Sequence, residues 1–145
     1  MAGTCGIYLY VYKKSLTVTG SPLNIFEGII KCVISSCKKV AITIKKEQNI
    51  NATLINPVYL SGIDKQALED LKKNHRLVIT LEDGCLAGGY GEKISRYYAN
   101  SGMKVLNFGA DKEFTDRVPL EELYKKYHLT SDLIIQDIIV KKHLR

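Results

Sequence analysis

From residue 51 onward, short β-branched runs alternate with segments whose apolar residues recur every three or four positions, the pattern of βαβ units around a parallel sheet. The run 52–56 reads as a strand stopped by Pro57. Asp64 is placed to cap a helix over 65–74, with Leu68 and Leu71 on one face and Ile63 stapling against Leu68. Residues 77–81, Leu-Val-Ile-Thr-Leu, are apolar on both faces and suit a central strand covered by helices on each side. A turn over 84–91 then leads into a helix over 92–101, with Ile94, Tyr97 and Tyr98 inward and Gly102 in a left-handed terminal position. Residues 104–108 form the next strand, closed by Gly109. Pro119 fits a first helical turn, Glu121 and Glu122 favour its positive end, and Leu120, Leu123, Tyr124 and Tyr127 fall at i, i+3, i+4 and i+7. A last helix from about Ser131 buries Ile134, Ile135, Ile138 and Ile139 and ends in Lys141, Lys142 and His143.

The first fifty residues carry a less decisive pattern. Residues 29–35 are β-like, whereas 40–44, Val-Ala-Ile-Thr-Ile, fit a strand by β-branching and a helix by the spacing of Val40, Ala41 and Ile44. A parallel crossover from 29–35 to 52–56 needs about a dozen residues, which tilts 38–48 toward helix. Neither repeats nor low-complexity segments interrupt the chain.

Length and composition narrow the class. At roughly 150 residues per domain, 145 residues make one domain. No apolar run approaches the ~18 residues of a membrane span, and no basic segment precedes the apolar stretch 1–12 as a signal peptide requires, so a cytoplasmic protein is expected. The net charge of +6 raises nucleic acid as a partner. Seven lysines against Glu27 and Glu47 concentrate +5 of it in residues 1–50, without a single Arg. Phosphate and base readers lean on Arg and interleaved aromatics, so this charge reads as a solvated face and no nucleic-acid partner is expected.

Side chains capable of chemistry are scattered. Cys5, Cys32, Cys37 and Cys85 show no C-x-x-C spacing and read as free thiols in a reducing compartment. His75, His128 and His143 stand at the ends of helical patterns and are expected at caps or on the surface. The adjacent acidic pairs Glu69-Asp70, Glu82-Asp83 and Glu121-Glu122 diverge in direction and are expected to be solvated. The tyrosines at helical spacing, Tyr97-Tyr98 and Tyr124/Tyr127, form a core or interface pattern. No catalytic, cofactor-binding or metal-ligating set emerges.

One stretch stands above this background: residues 81–91, Leu-Glu-Asp-Gly-Cys-Leu-Ala-Gly-Gly-Tyr-Gly, running from a strand end through glycines into a helix. Ligands of open parallel sheets bind outside the carboxyl ends of strands, and amides at a helix start attract anions. The spacing G-x-x-x-G-G-x-G departs from the dinucleotide fingerprint G-x-G-x-x-G, however, and no acidic residue follows about twenty residues on after a second strand. Either the turn binds a nucleotide or phosphate, or its glycines let a helix pack closely while Glu82 and Asp83 satisfy nearby donors or a partner chain.

The run 79–84, Ile-Thr-Leu-Glu-Asp-Gly, with 87–91, Ala-Gly-Gly-Tyr-Gly, 105–109, Val-Leu-Asn-Phe-Gly, then Asp111, Phe114, Leu120-Glu-Glu-Leu123 and Leu129, resembles the C-terminal domain of the 1-deoxy-D-xylulose-5-phosphate synthase family. That family belongs to the transketolase group of thiamine-diphosphate enzymes. Residues 50–56, Ile63-Asp64, Glu27-Gly28 and 30–35 extend the resemblance to about 25–139, leaving 1–24 as a leader or linker from a preceding domain and 25–145 as the domain itself. Ser35-Ser36-Cys37, Val58, Gly62 and Thr115-Asp116 depart from the family pattern.

The resemblance implies a three-layer α/β/α sandwich around a mostly parallel five-stranded sheet whose first strand, at an edge, runs antiparallel. It implies a structural and interfacial part of a transferase that condenses pyruvate with glyceraldehyde 3-phosphate and loses CO₂, this chain alone being inactive. Thiamine diphosphate and Mg²⁺ belong to the parent enzyme; the Gly-Asp-Gly motif that holds them in the family does not occur here. The implied partners are the remaining domains or subunit of that enzyme, in a homodimer. Glu82, Asp83, Gly84, Gly88, Gly89 and Gly91 are expected at the functional end, offering amides and carboxylates to a neighbour. The competing expectation is a stand-alone module binding a nucleotide or phosphate at Gly84 to Gly91.

Overall fold

A computed structural model describes residues 6–12, 18–19, 27–55, 57 and 60–143, with side-chain surroundings defined from 36 onward except at 83 and 141–143. The element order is β1 (Gly6–Tyr12), β2 (Val18–Thr19), α1 (Glu27–Gln48), β3 (Asn51–Ile55), α2 (Lys65–Lys72), β4 (His75–Cys85), α3 (Tyr90–Tyr98), β5 (Lys104–Ala110), α4 (Leu120–Lys126) and α5 (Ser131–His143).

The five strands lie in the order β2-β3-β1-β4-β5. β2 runs parallel to β3 and β4 parallel to β5, while β1 runs antiparallel to both β3 and β4. The first strand, expected at 30–35, antiparallel and at an edge, is not there; the antiparallel strand is β1, in the middle of the sheet. It falls within the stretch 1–24 expected to lead in from another domain.

Side-chain alternation along β4 divides the core. Leu77, Ile79 and Leu81 pack with Val40, Ala41 and Ile44 of α1 and Ile134, Ile135 and Ile138 of α5. Val78 packs with Leu68 and Leu71 of α2 and with Tyr90, Ile94 and Tyr98 of α3. The three-layer sandwich is thus formed by α1 and α5, the sheet, and α2 and α3. No helix among the described residues is long and apolar enough to cross a membrane.

Residues 29–35 belong to the 22-residue α1 and not to a strand. Their β-branched residues continue a helical spacing into Cys37, Val40 and Ile44, which are buried in the core, and that burial holds α1 helical against local β propensity. Asp64 caps α2 as expected, accepting the Ala67 N–H at 3.0 Å, and Ile63 packs in the Leu68 cluster. At Gly102 the expected left-handed conformation is absent; Gly88, at φ 75°, is the described glycine that adopts it. Pro119 caps α4 from outside its first turn, and the face of Leu120, Leu123 and Tyr124 is not buried. Lys141, Lys142 and His143 close α5, their side chains lying outside the described set.

Candidate functional site at the end of β4

Glu82 follows Val78 and Thr80 on the face of β4 turned toward α3, and β4 continues through Asp83 and Gly84 to Cys85. The solvated carboxylate expected here is instead buried, with 1% of its surface exposed. Its two oxygens take the first amides of α3: Oε2 accepts the Tyr90 N–H and Oε1 the Gly91 N–H, each at 2.7 Å. A charged acceptor thereby satisfies two of the donors that a helix start leaves open and complements the positive end of its dipole. Glu92 reaches back and accepts the Gly88 N–H at 2.9 Å, and the Gly89 N–H is donated to the Leu86 carbonyl at 2.9 Å.

The glycines are spatial requirements of this clamp. A Cβ on Gly89 would stand 2.5 Å from Glu82 Oε2; one on Gly91 would stand 2.5 Å from Thr80 Oγ1 and 2.7 Å from Glu82 Oε1. Real Cβ atoms do not approach this closely, so only glycine lets α3 descend onto the strand. Gly84 is half-buried within β4, and Gly88 supplies the one left-handed residue of the turn.

Beneath Gly91 runs a polar thread that sequence reading did not single out. Thr80 Oγ1 donates to Asn107 Oδ1 and Asn107 Nδ2 to Ser95 Oγ, each at 2.8 Å. Thr80 and Asn107 are register partners on β4 and β5. The available signal was a polar residue inside each of two otherwise apolar strands. His75, expected at a surface cap, is buried at the start of β4, with Nδ1 3.0 Å from the Leu71 carbonyl and Nε2 3.2 Å from Thr53 Oγ1. Burial lowers its pKa, opposed by the bond to Leu71.

The other candidates lie apart. Cys37 is buried and its thiol is pushed up to about 12 by desolvation, far from a reactive thiolate. Cys85 is half-buried at the turn. His128 Nδ1 lies 2.8 Å from Asp137 Oδ2 on the surface. Glu69 and Asp70 are exposed, and hydrogen bonds from Lys72 and Lys73 respectively hold both below the usual carboxylate range. Tyr97 donates to Glu69, which raises the phenol to about 12, while buried Tyr98 donates to the Leu68 carbonyl at 2.8 Å.

A family model described as the C-terminal domain of transketolase matches residues 33–134, a stretch that includes the glycine-lined corner. The chain belongs to the transketolase C-terminal domain family. It is similar to the 1-deoxy-D-xylulose-5-phosphate synthase of Clostridium tetani, 34% identical over 65% of this chain and 16% of that protein. The corresponding protein of Clostridium beijerinckii is 35% identical over 57% of this chain and 14% of its own length. That of Lachnoclostridium phytofermentans is 28% identical over 77% of this chain and 19% of its own length. The domain therefore spans less than a fifth of the relatives it matches.

The described residues do not fit a diphosphate held through Mg²⁺. Such a group needs oxygen ligands on two sides, and among the described residues no three His, Cys, Asp or Glu side chains converge on a point. The amides that could meet a phosphate at the α3 start are already bound by Glu82. Glu82 thereby holds two of the amides that a nucleotide or phosphate at Gly84 to Gly91 would draw on.

Proposed function

We propose that this chain is the C-terminal, structural domain of an enzyme of the 1-deoxy-D-xylulose-5-phosphate synthase type. The observation that carries the reading is the Glu82 clamp in a transketolase-family domain: the corner where a sheet of this class would take a ligand is filled by the domain's own carboxylate. The domain then contributes shape and contact, and the chemistry belongs to the rest of the enzyme. That enzyme condenses pyruvate with glyceraldehyde 3-phosphate, releases CO₂, and holds thiamine diphosphate and Mg²⁺ in its other domains. It works in the cytoplasm as a homodimer, with the rim around Asp83, Gly84 and Gly88 turned toward a neighbouring domain or subunit.

The test is an assay of CO₂ release and sugar-phosphate formation from the two substrates. It is run on the isolated chain and on the assembly recovered from the cells the chain comes from. The assembly should turn over and the isolated chain should not. Turnover by the chain alone, or an assembly that leaves pyruvate untouched, would sink the reading.

A further inference from the structure

Five large apolar side chains stand exposed among the described residues: Ile42, Phe114, Val118, Leu120 and Val140. Three of them fall in the stretch 114–120, between the end of β5 and the first residue of α4, and Phe114 is wholly exposed. On α4 itself Leu123 is half-buried, whereas Leu120, one turn earlier on the same side, is 60% exposed, so the apolar side of α4 is left open at its start, next to Val118 and Phe114.

The segment has a defined shape. Glu113 pairs with Lys126 and accepts the Tyr127 hydroxyl, tying the loop to the far end of α4. The Val118 N–H is donated to the Thr115 carbonyl at 3.3 Å, and Arg117 between them is held at φ 64°. Its position is also specific. It leaves the carboxyl end of β5 beside the turn that leaves the carboxyl end of β4, where Cys85 pairs with Ala110 and the Leu86 N–H is donated to the Ala110 carbonyl at 2.8 Å. Exposed Lys112, Asp116, Arg117 and Glu121 surround the apolar residues with both signs of charge, the arrangement of an apolar interface centre inside a polar rim.

We infer that Phe114, Val118 and Leu120 are the surface by which this domain seats on the catalytic body of its enzyme, against an apolar recess of that body. The inference rests on the reading of the chain as one domain of a larger enzyme. Two observations choose this occupant over a second copy. In relatives 34% and 35% identical, the matched region is 16% and 14% of the protein, so a far larger body accompanies the domain. Three side chains also fall short of the roughly 800 Å² per partner that a stable free-standing pair needs, yet suffice as one contact of a domain already attached.

The experiment replaces Phe114 with the photocrosslinker benzoylphenylalanine in the full chain, produced in its own cells. A parallel sample carries the same replacement at Ile42, which is 62% exposed on α1. Both are irradiated and the adducts are mapped by mass spectrometry. The expected result is an adduct from position 114, and none from position 42, to peptides of a polypeptide carrying the Gly-Asp-Gly diphosphate motif. Loss of that adduct on adding Leu120→Asp, with the circular dichroism of the chain unchanged, would extend the contact to α4. An adduct to that polypeptide from position 42 alone overturns the docking face and leaves the enzyme-domain reading intact. Absence of that polypeptide from both samples overturns the two together, and an adduct between two copies of this chain replaces the enzyme body by a second copy.

Discussion

Oε1 of Glu82 accepts the backbone N–H of Gly91 at 2.7 Å, joining the end of β4 to the first turn of α3 across nine residues of chain. The contact depends on both partners: the carboxylate must be buried, and the residue it meets must have no side chain.

Removing the carboxylate leaves the Tyr90 and Gly91 amides buried without their acceptor. Glu82→Ala should lower stability by about 3 kcal/mol, and Glu82→Gln, which keeps one acceptor oxygen, by less. Urea unfolding followed by circular dichroism measures both. Added phosphate or acetate should raise the midpoint of Glu82→Ala and leave the parent protein unmoved, because the vacated helix start becomes an anion site.

Glycines in this corner and outside it should respond oppositely. Gly91→Ala places a Cβ 2.5 Å from Thr80 Oγ1 and should cost about 2 kcal/mol, although alanine is the better helix former. Gly102→Ala meets nothing within 4 Å at a residue without positive φ, and should change stability by no more than about 0.5 kcal/mol. Thermal unfolding of the two variants separates them.

Burial lowers the pKa of His75 below the 6.5 of the free side chain. The unfolded chain therefore binds the proton more readily than the folded one. Stability should be constant in this respect above pH 6.5, fall as the pH drops below it, and level off below the folded pKa. The lowered carboxyls of Glu69, Asp70 and Glu113 titrate at lower pH and lose their contribution there. Urea midpoints between pH 5 and 7.5 should slope for the parent protein, and His75→Gln should flatten that slope while lowering the midpoint at pH 7.5.

Cys37, 2% exposed and with its thiol pushed up to about 12, should resist alkylation in the native protein at pH 8 and react once urea unfolds it. Peptide mapping after iodoacetamide treatment follows the site directly. Native-state labelling at Cys37 as fast as in urea would contradict the packing of α1 described above.

The sequence was most readable where one local signal acted alone. The Asp64 cap with Ile63 and Leu68, the doubly apolar run 77–81 and the isoleucine stripe of α5 each appear in the structure as read. The first half of α1 was misread because Ile29, Ile30, Val33 and Ile34 favour strands one by one; their helical period shows only when the window extends through Ile44. The central place of β1 has no local signature, since pairing with β3 and β4 is decided by partners about forty to seventy-five residues away. At the corner, the glycines marked the place, but the inward turn of Glu82 follows from the return of α3 onto the sheet, which no spacing rule encodes.

α4 is seven residues long and buries none of them. A helix so short does not hold itself in water, so its amides should trade protons with solvent through small local openings while β4 stays shut. Whatever settles on it must first quiet that fraying, and the entropy of doing so is subtracted from the grip. On its own such a contact would be weak, suited to orienting a domain that other links hold close by.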